Sequence, residues 1–364
     1  MSLLANRSFR SFDYFGFIIT MILSAIGLLF VFSTTYRPDY PYSLFFQKQV
    51  LGCITGYILC VLAMCVDYRR LQRWGYFLFF FTILLLVYTL IKGSVGLGAQ
   101  RWINVVFFKF QPSELLKIFF PAFFTYYFLG ISADRSLASV IVPGMSILII
   151  SLLLVVKQPD LGTAIIIGLA SLVMLAHLNV GRYFFYGLVA LFLVSTPITW
   201  HFLKPYQKQR VLVFLGQGDL RKERYQIEQS CIAIGSGGLL GKGLLQGTQN
   251  ILQFLPESRT DFIFSIISEE LGFVGACAMI VLYIMLFLRW ITSIALLQDR
   301  NAYLLAWGLI APIIIATIIN MGMVTGLLPI VGIPLPLISY GITHSWITLI
   351  GIGCLNSIFL HQLP

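Results

Sequence analysis

The chain has 364 residues, 59% of them hydrophobic and only 10% charged, with 31 Phe, 31 Gly and a formal net charge of +10. A mean hydropathy of +0.90 excludes a water-soluble globular domain and implies a polytopic membrane protein in a lipid bilayer. The positive balance suits an anionic membrane partner, and no segment resembles a nucleic-acid module, so nucleic acid is not expected among the partners.

In chain order, apolar runs long enough to cross a bilayer core, about 17 to 25 residues as helix, fall at 15–34, 49–66, 75–91, 114–131, 140–156, 163–179, 184–203, 262–288, 303–327 and 345–360. They predict an all-α integral membrane protein, a bundle of about ten transmembrane helices forming one membrane domain over 1–364 with a large extracytoplasmic loop at 204–261. Each run must close its own backbone hydrogen bonds in lipid, and runs this long and uniformly apolar are not barrel strands. Arg7, Arg10 and Asp13 precede the first run without a small-residue cleavage site, so that span is expected to stay as an anchor. Arg69, Arg70 and Arg73, Arg182, and Arg289 and Arg300 fall on the same side as Arg7 and Arg10, which predicts a cytoplasmic face bearing both termini.

The outward segments carry the unusual chemistry. "GLGAQRW" at 96–102 interrupts the helical pattern, and "FQPSELLK" then places Glu114 and Lys117 three apart, where both meet on one helix face. Charges at membrane depth are paired or line a cavity, so this pair is either functional or a salt bridge that orients the bundle. Asp160, in "KQPDLGTA", sits in a tight turn where it can cap the next helix. The loop 204–261 holds eight basic residues, Lys204, Lys208, Arg210, Arg221, Lys222, Arg224, Lys242 and Arg259, on the side that the charge bias makes outward. Either a long translocated segment escapes the bias, or the basic surface holds an anionic lipid-linked substrate. Its Gly clusters and amphipathic pieces predict short interfacial helices. "GSGGLLGKG" fails as a phosphate loop, because Ser236 and Gly243 stand where that motif needs Gly and a hydroxyl residue.

"LPESRTDFIF" at 255–264 packs Glu257, Arg259 and Asp261 against the start of an apolar helix. Spacing alone leaves Asp261 open between a helix-terminal acid and a reactive one. Glu269 and Glu270 lie about two turns further on and have no assignable chemistry, beyond at least one facing polar neighbours. "LPIVGIPLPLISYG" at 328–341 is apolar but holds Pro329, Pro334 and Pro336, so it should run as irregular backbone lining a protein cavity. His177, His201, His344 and His361 lack ligand spacing, and no protein-held metal site is expected. The six cysteines read as small core hydrophobes.

Together, "QRW", "FQPSELLK", "QPDLGTA", "QSCIAIGSGGLLGKG", "GTQNILQFLPESRTDFIFSIISEELG" and "LPIVGIPLPLISYG" resemble, in order and spacing, the SEDS family (shape, elongation, division and sporulation proteins) over nearly the whole chain. The "GKG", "GTQ" and "FLPE" wording is closer to the elongation branch than to the division branch. The resemblance implies a peptidoglycan glycosyltransferase of the bacterial plasma membrane that polymerises lipid II at the outer face. Its implied partners are the growing glycan strand, a class B penicillin-binding transpeptidase and other elongation-complex proteins. It further implies that Asp261 is the essential carboxylate, that Glu114 and Lys117 form the intramembrane pair, and that Arg101, Asp160, Arg210 and Lys242 surround the cavity, with Glu257 and Arg259 beside the acid. Two places depart from the pattern: Arg259 stands where His is usual, and Ile342, Thr343 and His344 stand where Gly-Ser-Ser is common.

Joining two lipid II molecules needs a base for the acceptor 4-hydroxyl and charge neutralisation for departing pyrophosphate, with inversion at the anomeric carbon. Asp261 suits the first task; Arg101, Arg210, Lys242 or a divalent cation, Mg or Mn, suits the second. The helix start and Arg259 are expected to favour ionised Asp261. A lipid II transporter, a division-type member of the same family or a non-enzymatic scaffold are the alternatives, the first because buried charges and Pro-broken segments also serve transport.

Overall fold

The computed structural model describes residues 12–96, 99–105, 108–130, 137–178, 186–187, 205–214, 223–252 and 254–362. The span expected at 184–203 lies outside the described residues, as do Arg7, Arg10, Arg182, Lys204, Arg221, Lys222 and His201. The other nine predicted runs each correspond to a helix: α1 (Tyr14–Thr35), α2 (Leu44–Cys65), α3 (Tyr68–Lys92), α4 (Pro112–Gly130), α5 (Leu137–Lys157), α6 (Leu161–Ala176), α10 (Ile263–Ala295), α11 (Arg300–Val324) and α12 (Ile342–Gln362). Within 204–261 lie three short helices, α7 (Pro205–Phe214), α8 (Glu223–Ser236) and α9 (Thr248–Ile251). Among the described residues six helices, α1, α2, α3, α10, α11 and α12, are long and apolar enough to cross a membrane, and the protein is a multi-pass, all-α membrane protein.

Side-chain caps start several helices. Asp13 accepts from Gly16 N on α1, Ser43 from Phe46 N on α2, Asp67 from Arg69 N on α3 and Asp299 from Asn301 N on α11. Beside the helices stands a small antiparallel sheet of β1 (Ser94–Gly96), β2 (Ala99–Val105) and β3 (Phe108–Phe110), in that spatial order. Two of its strands have only three residues, and the seven of β2 show no strict alternation of apolar and polar positions. The Cys reading holds for Cys53, Cys60 and Cys354, which are buried, whereas Cys65 and Cys231 lie exposed.

Among the described residues two large apolar cores run through the bundle, beside a small cluster of Ile166, Ala316 and Ile333. One joins α1, α10, α11 and α12 through Leu23, Phe30, Ile266, Leu286, Leu305 and Ile358. The other joins α3 to α6, with Phe79 stacked on Phe123 at 4.5 Å between ring centroids. Residues 325–341 contain no helix, as their prolines require.

The clearest departure from a regular bundle is inside α10, where Gly272 has φ 69° and ψ −165° and breaks the helical ladder. The Gly-rich segment before α9 replaces the lost bonds: Lys242 N donates to Glu269 O and Gly243 N to Glu270 O, each at 3.0 Å, while Phe273 N and Val274 N donate to Gly238 O and Leu239 O. The "GSGGLLGKG" motif is therefore a backbone clasp. A Cβ at Gly241, whose φ is +81°, would stand 2.1 Å from Glu270 O. Gly241→Ala is expected to destabilise the protein by on the order of 1 to 3 kcal/mol. Gly235→Ala, on α8 with open space around it, is expected to be neutral or stabilising. Thermal unfolding in detergent compares the two.

Candidate active site

Asp261 ends the turn that leads into α10, and two neighbouring elements fix its backbone. Asn320 on α11 donates through Nδ2 to Asp261 O at 2.8 Å and to Ile333 O at 2.7 Å. Ser339 Oγ donates to Thr260 O, and Tyr340 N donates to Arg259 O at 2.9 Å. The Pro-broken segment and the acid-bearing turn are thus one hydrogen-bonded unit. Gly332, with φ +76°, lets the segment pass the carboxylate: a Cβ there would lie 3.4 Å from Asp261 Oδ2 and 3.9 Å from an Arg210 Nη1.

The charges around Asp261 come from three places. Glu257, in a left-handed backbone conformation at φ 55°, accepts from Thr260 Oγ1 at 3.0 Å. Arg210 comes from α7, and Arg101 comes from β2, where its guanidinium is 3.4 Å from Asp160 Oδ1. Asp160 is buried and also accepts from Gln111 Nε2 at 2.6 Å and Ser113 Oγ at 3.0 Å, while its Oδ1 caps α6 at Thr163 N. It is therefore both a helix cap and part of the polar wall.

The expectation that Asp261 would be held readily ionised is corrected. Burial against the surrounding loops and the neighbouring Glu257 carboxylate push it up to about 6, and Arg101 and Arg210 offset this only in part. Arg259 is not among the groups that offset this, its guanidinium lying 3.9 Å from the centroid of the Phe45 ring.

Glu114 and Lys117 meet as expected. Lys117 Nζ lies 2.6 and 2.8 Å from the two Glu114 oxygens, and both residues are buried. His344 completes a triad through Nδ1, 3.0 Å from Glu114 Oε2. Its position carried no spacing signal, because the partner is 230 residues away. Lys117 and His344 also line a small cleft of about 20 Å³ between α4, α11 and α12, and Asp261 is not among its lining residues.

Lys242 is not among the groups that meet Asp261. Its Nζ lies 2.6 Å from Glu269 Oε1, which also accepts from Thr248 Oγ1 and Gln249 N. Glu270 accepts from Leu245 N at 3.2 Å and from Ser33 Oγ. Both glutamates are fully buried and hold the clasp, which gives them the structural role the sequence left open.

Two outcomes follow. Asp261 binds protons more readily folded than unfolded, so its ionisation opposes folding as pH rises from about 4 through about 6. Asp261→Asn is expected to raise the thermal midpoint above that window and to give no gain below it. Lys117→Met strands Glu114 and should cost about 3 to 5 kcal/mol, most of it recovered in the Glu114→Gln/Lys117→Met double variant, as read by thermal unfolding.

Residues 14–363 match the model of the FtsW, RodA and SpoVE group, described as cell cycle proteins. The chain is 37% identical over 348 residues to the peptidoglycan glycosyltransferase MrdB of Escherichia coli (strain K12), covering 94% of this chain and 93% of the relative. It is 36% identical to the stage V sporulation protein E of Bacillus subtilis (strain 168), over 94% of this chain and 95% of that one. With the peptidoglycan glycosyltransferase RodA of Treponema pallidum (strain Nichols) the identity is 30%, over 98% and 99%. Among solved structures, a chain from work on the structural coordination of polymerization and crosslinking by a peptidoglycan synthase complex superposes with a TM-score of 0.80 at 25% identity, covering 97% of this chain and 98% of that one. The rod shape determining protein RodA of Thermus thermophilus superposes with a TM-score of 0.71 at 24% identity, covering 97% and 98%, and shares the fold.

Proposed function

The chain belongs to the FtsW, RodA and SpoVE family of cell cycle proteins, the SEDS proteins, and on that premise we propose that it is a peptidoglycan glycosyltransferase that polymerises lipid II for cell-wall elongation. The observation that carries the reading is Asp261: one half-buried carboxylate with a raised proton affinity, set between the basic residues Arg101 and Arg210 on a turn beside the Pro-broken segment. In this reading both termini are cytoplasmic, the chain lies in the bacterial plasma membrane, and Asp261 faces outward at headgroup level.

Asp261 takes the proton of the acceptor 4-hydroxyl as that oxygen attacks the anomeric carbon of the donor, and undecaprenyl pyrophosphate departs from the opposite face. An α-linked donor becomes a β-1,4 product. Pyrophosphate leaves without protonation when its charge is matched, so Arg101 and Arg210 serve the leaving group and no second acid is needed. Lys242, engaged by Glu269, supports the loop rather than the phosphates. Glu114 and Lys117 hold the framework beneath the site.

A divalent cation, Mg or Mn, belongs to this reading as a companion of the substrate. Among the described residues no group of three potential metal ligands converges. The pyrophosphate oxygens would supply most of its coordination, and its contribution would be charge neutralisation. The relationship to a chain of a peptidoglycan synthase complex supports a class B penicillin-binding transpeptidase as partner, with other elongation proteins around it.

The purified chain with that partner is expected to convert lipid II to glycan strands. Asp261→Asn should slow polymerisation by on the order of 10²- to 10⁴-fold without loss of thermal stability. The native rate should fall on the acid side with a midpoint near about pH 6. A variant that polymerises at the native rate would remove Asp261 from the base assignment. A chain that moves lipid II across vesicles but makes no polymer would favour the transporter reading.

A further inference from the structure

The turn before α10 carries one cation whose hydrogen-bonding edge the fold leaves open. The Arg259 guanidinium stacks on Phe45 at 3.9 Å, and the same ring meets Tyr340 edge-on with centroids 5.5 Å apart. Among the described residues Arg259 joins no ion pair, and its side chain makes no hydrogen bond to the protein. Stacking uses the flat face of a guanidinium and leaves its five in-plane N–H donors available. Arg259 is half-buried and Phe45 is 40% exposed, so the open edge can be reached from outside. A guanidinium already ordered by an aromatic ring loses less freedom when it binds.

Arg101 differs in this respect, because Asp160 engages it at 3.4 Å. Arg259 and Asp261 are two residues apart, so their Cα atoms lie within about 7.6 Å of each other. Their side chains reach different walls, one toward Phe45 on α2 and the other toward Gly332. That separation suits a sugar whose hydroxyl meets a base and whose anionic group is gripped elsewhere.

We propose that Arg259 is an anion-binding residue of the substrate site, gripping a pair of phosphate or carboxylate oxygens of the lipid-linked sugar at the rim beside Asp261. This rests on the polymerase reading and assigns a function to a cation that the mechanism leaves unused. Histidine would hold its charge only below about pH 6.5, whereas Arg holds it throughout the working range.

The experiment measures KM and kcat for lipid II with the full chain and its transpeptidase partner at about pH 6 and about pH 8. It compares the native chain, Arg259→Gln, Arg259→Lys and Arg259→His. Arg259→Gln is expected to raise KM on the order of tenfold or more at both pH values, and Arg259→Lys to raise it less. Arg259→His should match the native KM at the lower pH and approach that of Arg259→Gln at the higher. Glu257 and Asp261 on the same turn, Tyr340 on the facing segment and Lys48 on α2 are present in every variant, so the native profile corrects for their titration.

Two further arms identify the anion. Inorganic pyrophosphate that inhibits the native chain and loses potency in Arg259→Gln marks the phosphates. Lipid II with amidated stem carboxylates that raises the native KM, but not that of Arg259→Gln, marks the peptide. Should Arg259→Gln fail to fold, the His variant compared with itself at the two pH values carries the test. Unchanged KM across the variants, or a His variant as insensitive to pH as the native chain, overturns the assignment. Absence of polymerisation by the native chain overturns the polymerase reading instead.

Discussion

Backbone that leaves a helix inside a membrane bundle must find its hydrogen bonds from protein, because lipid supplies none. This constraint organises the end of the bundle that carries Asp261. At Gly272 the ladder of α10 opens, and the Gly-rich segment at 237–243 fills the gap strand-fashion. Residues 325–341 run without helix, and their polar groups are met by Asn320, Gln49, Ser339 and Tyr283. The acid-bearing turn is hydrogen-bonded into the same unit, so Asp261 has a fixed position although no regular secondary structure holds it. A site on irregular backbone is ordinarily mobile; here the surrounding helices restrain it.

The buried charges follow the same logic. Glu114, Asp160 and Glu269 each contact a basic side chain and further donors. Such pairs contribute little net stability compared with an apolar core, yet removing one partner is costly. They therefore act chiefly to fix which elements meet: Asp160 joins β2 to α6, Glu269 joins α10 to the loop before α9, and Glu114 joins α4 to α12 through His344. Asp261 differs from these three, because Glu257 increases the negative charge beside it and its basic neighbours do not fully balance that field.

The helices were legible because about twenty apolar residues in a row have one stable form in lipid, and nine of the ten runs have a described counterpart. The Pro-broken segment was legible for the complementary reason. Long-range pairing was not. Lys242 was expected at the cavity from the family resemblance alone, and its partner, Glu269, is 27 residues on and reached only through the break at Gly272. His344 likewise meets Glu114 only because α4 and α12 are adjacent in space. The protonation tendency of Asp261 was misread, since helix position and Arg259 were visible in the chain while burial and the orientation of Glu257 were not. The three-stranded sheet at 94–110 escaped notice because its strands of 3, 7 and 3 residues sit among Gly and aromatic residues with no alternating pattern.

The raised proton affinity of Asp261 bears directly on the chemistry. An aspartate stabilised as an anion at the usual value near 3.8 would be present as base at any working pH but would accept a proton weakly. At about 6 it is still mostly ionised at neutral pH and is a stronger base, which is the compromise general-base catalysis favours. The cost is local, since ionised Asp261 opposes folding, and the hydrogen bonds to Thr260 O and Asp261 O hold the turn against it. In the polymerase reading, substrate strengthens this effect. A pyrophosphate drawn in beside Arg101 and Arg210 neutralises the two cations that lower the proton affinity of Asp261, so the base becomes more avid when a donor is in place to react. The arrangement thereby couples occupancy of the leaving-group side to readiness on the nucleophile side without any movement of the backbone.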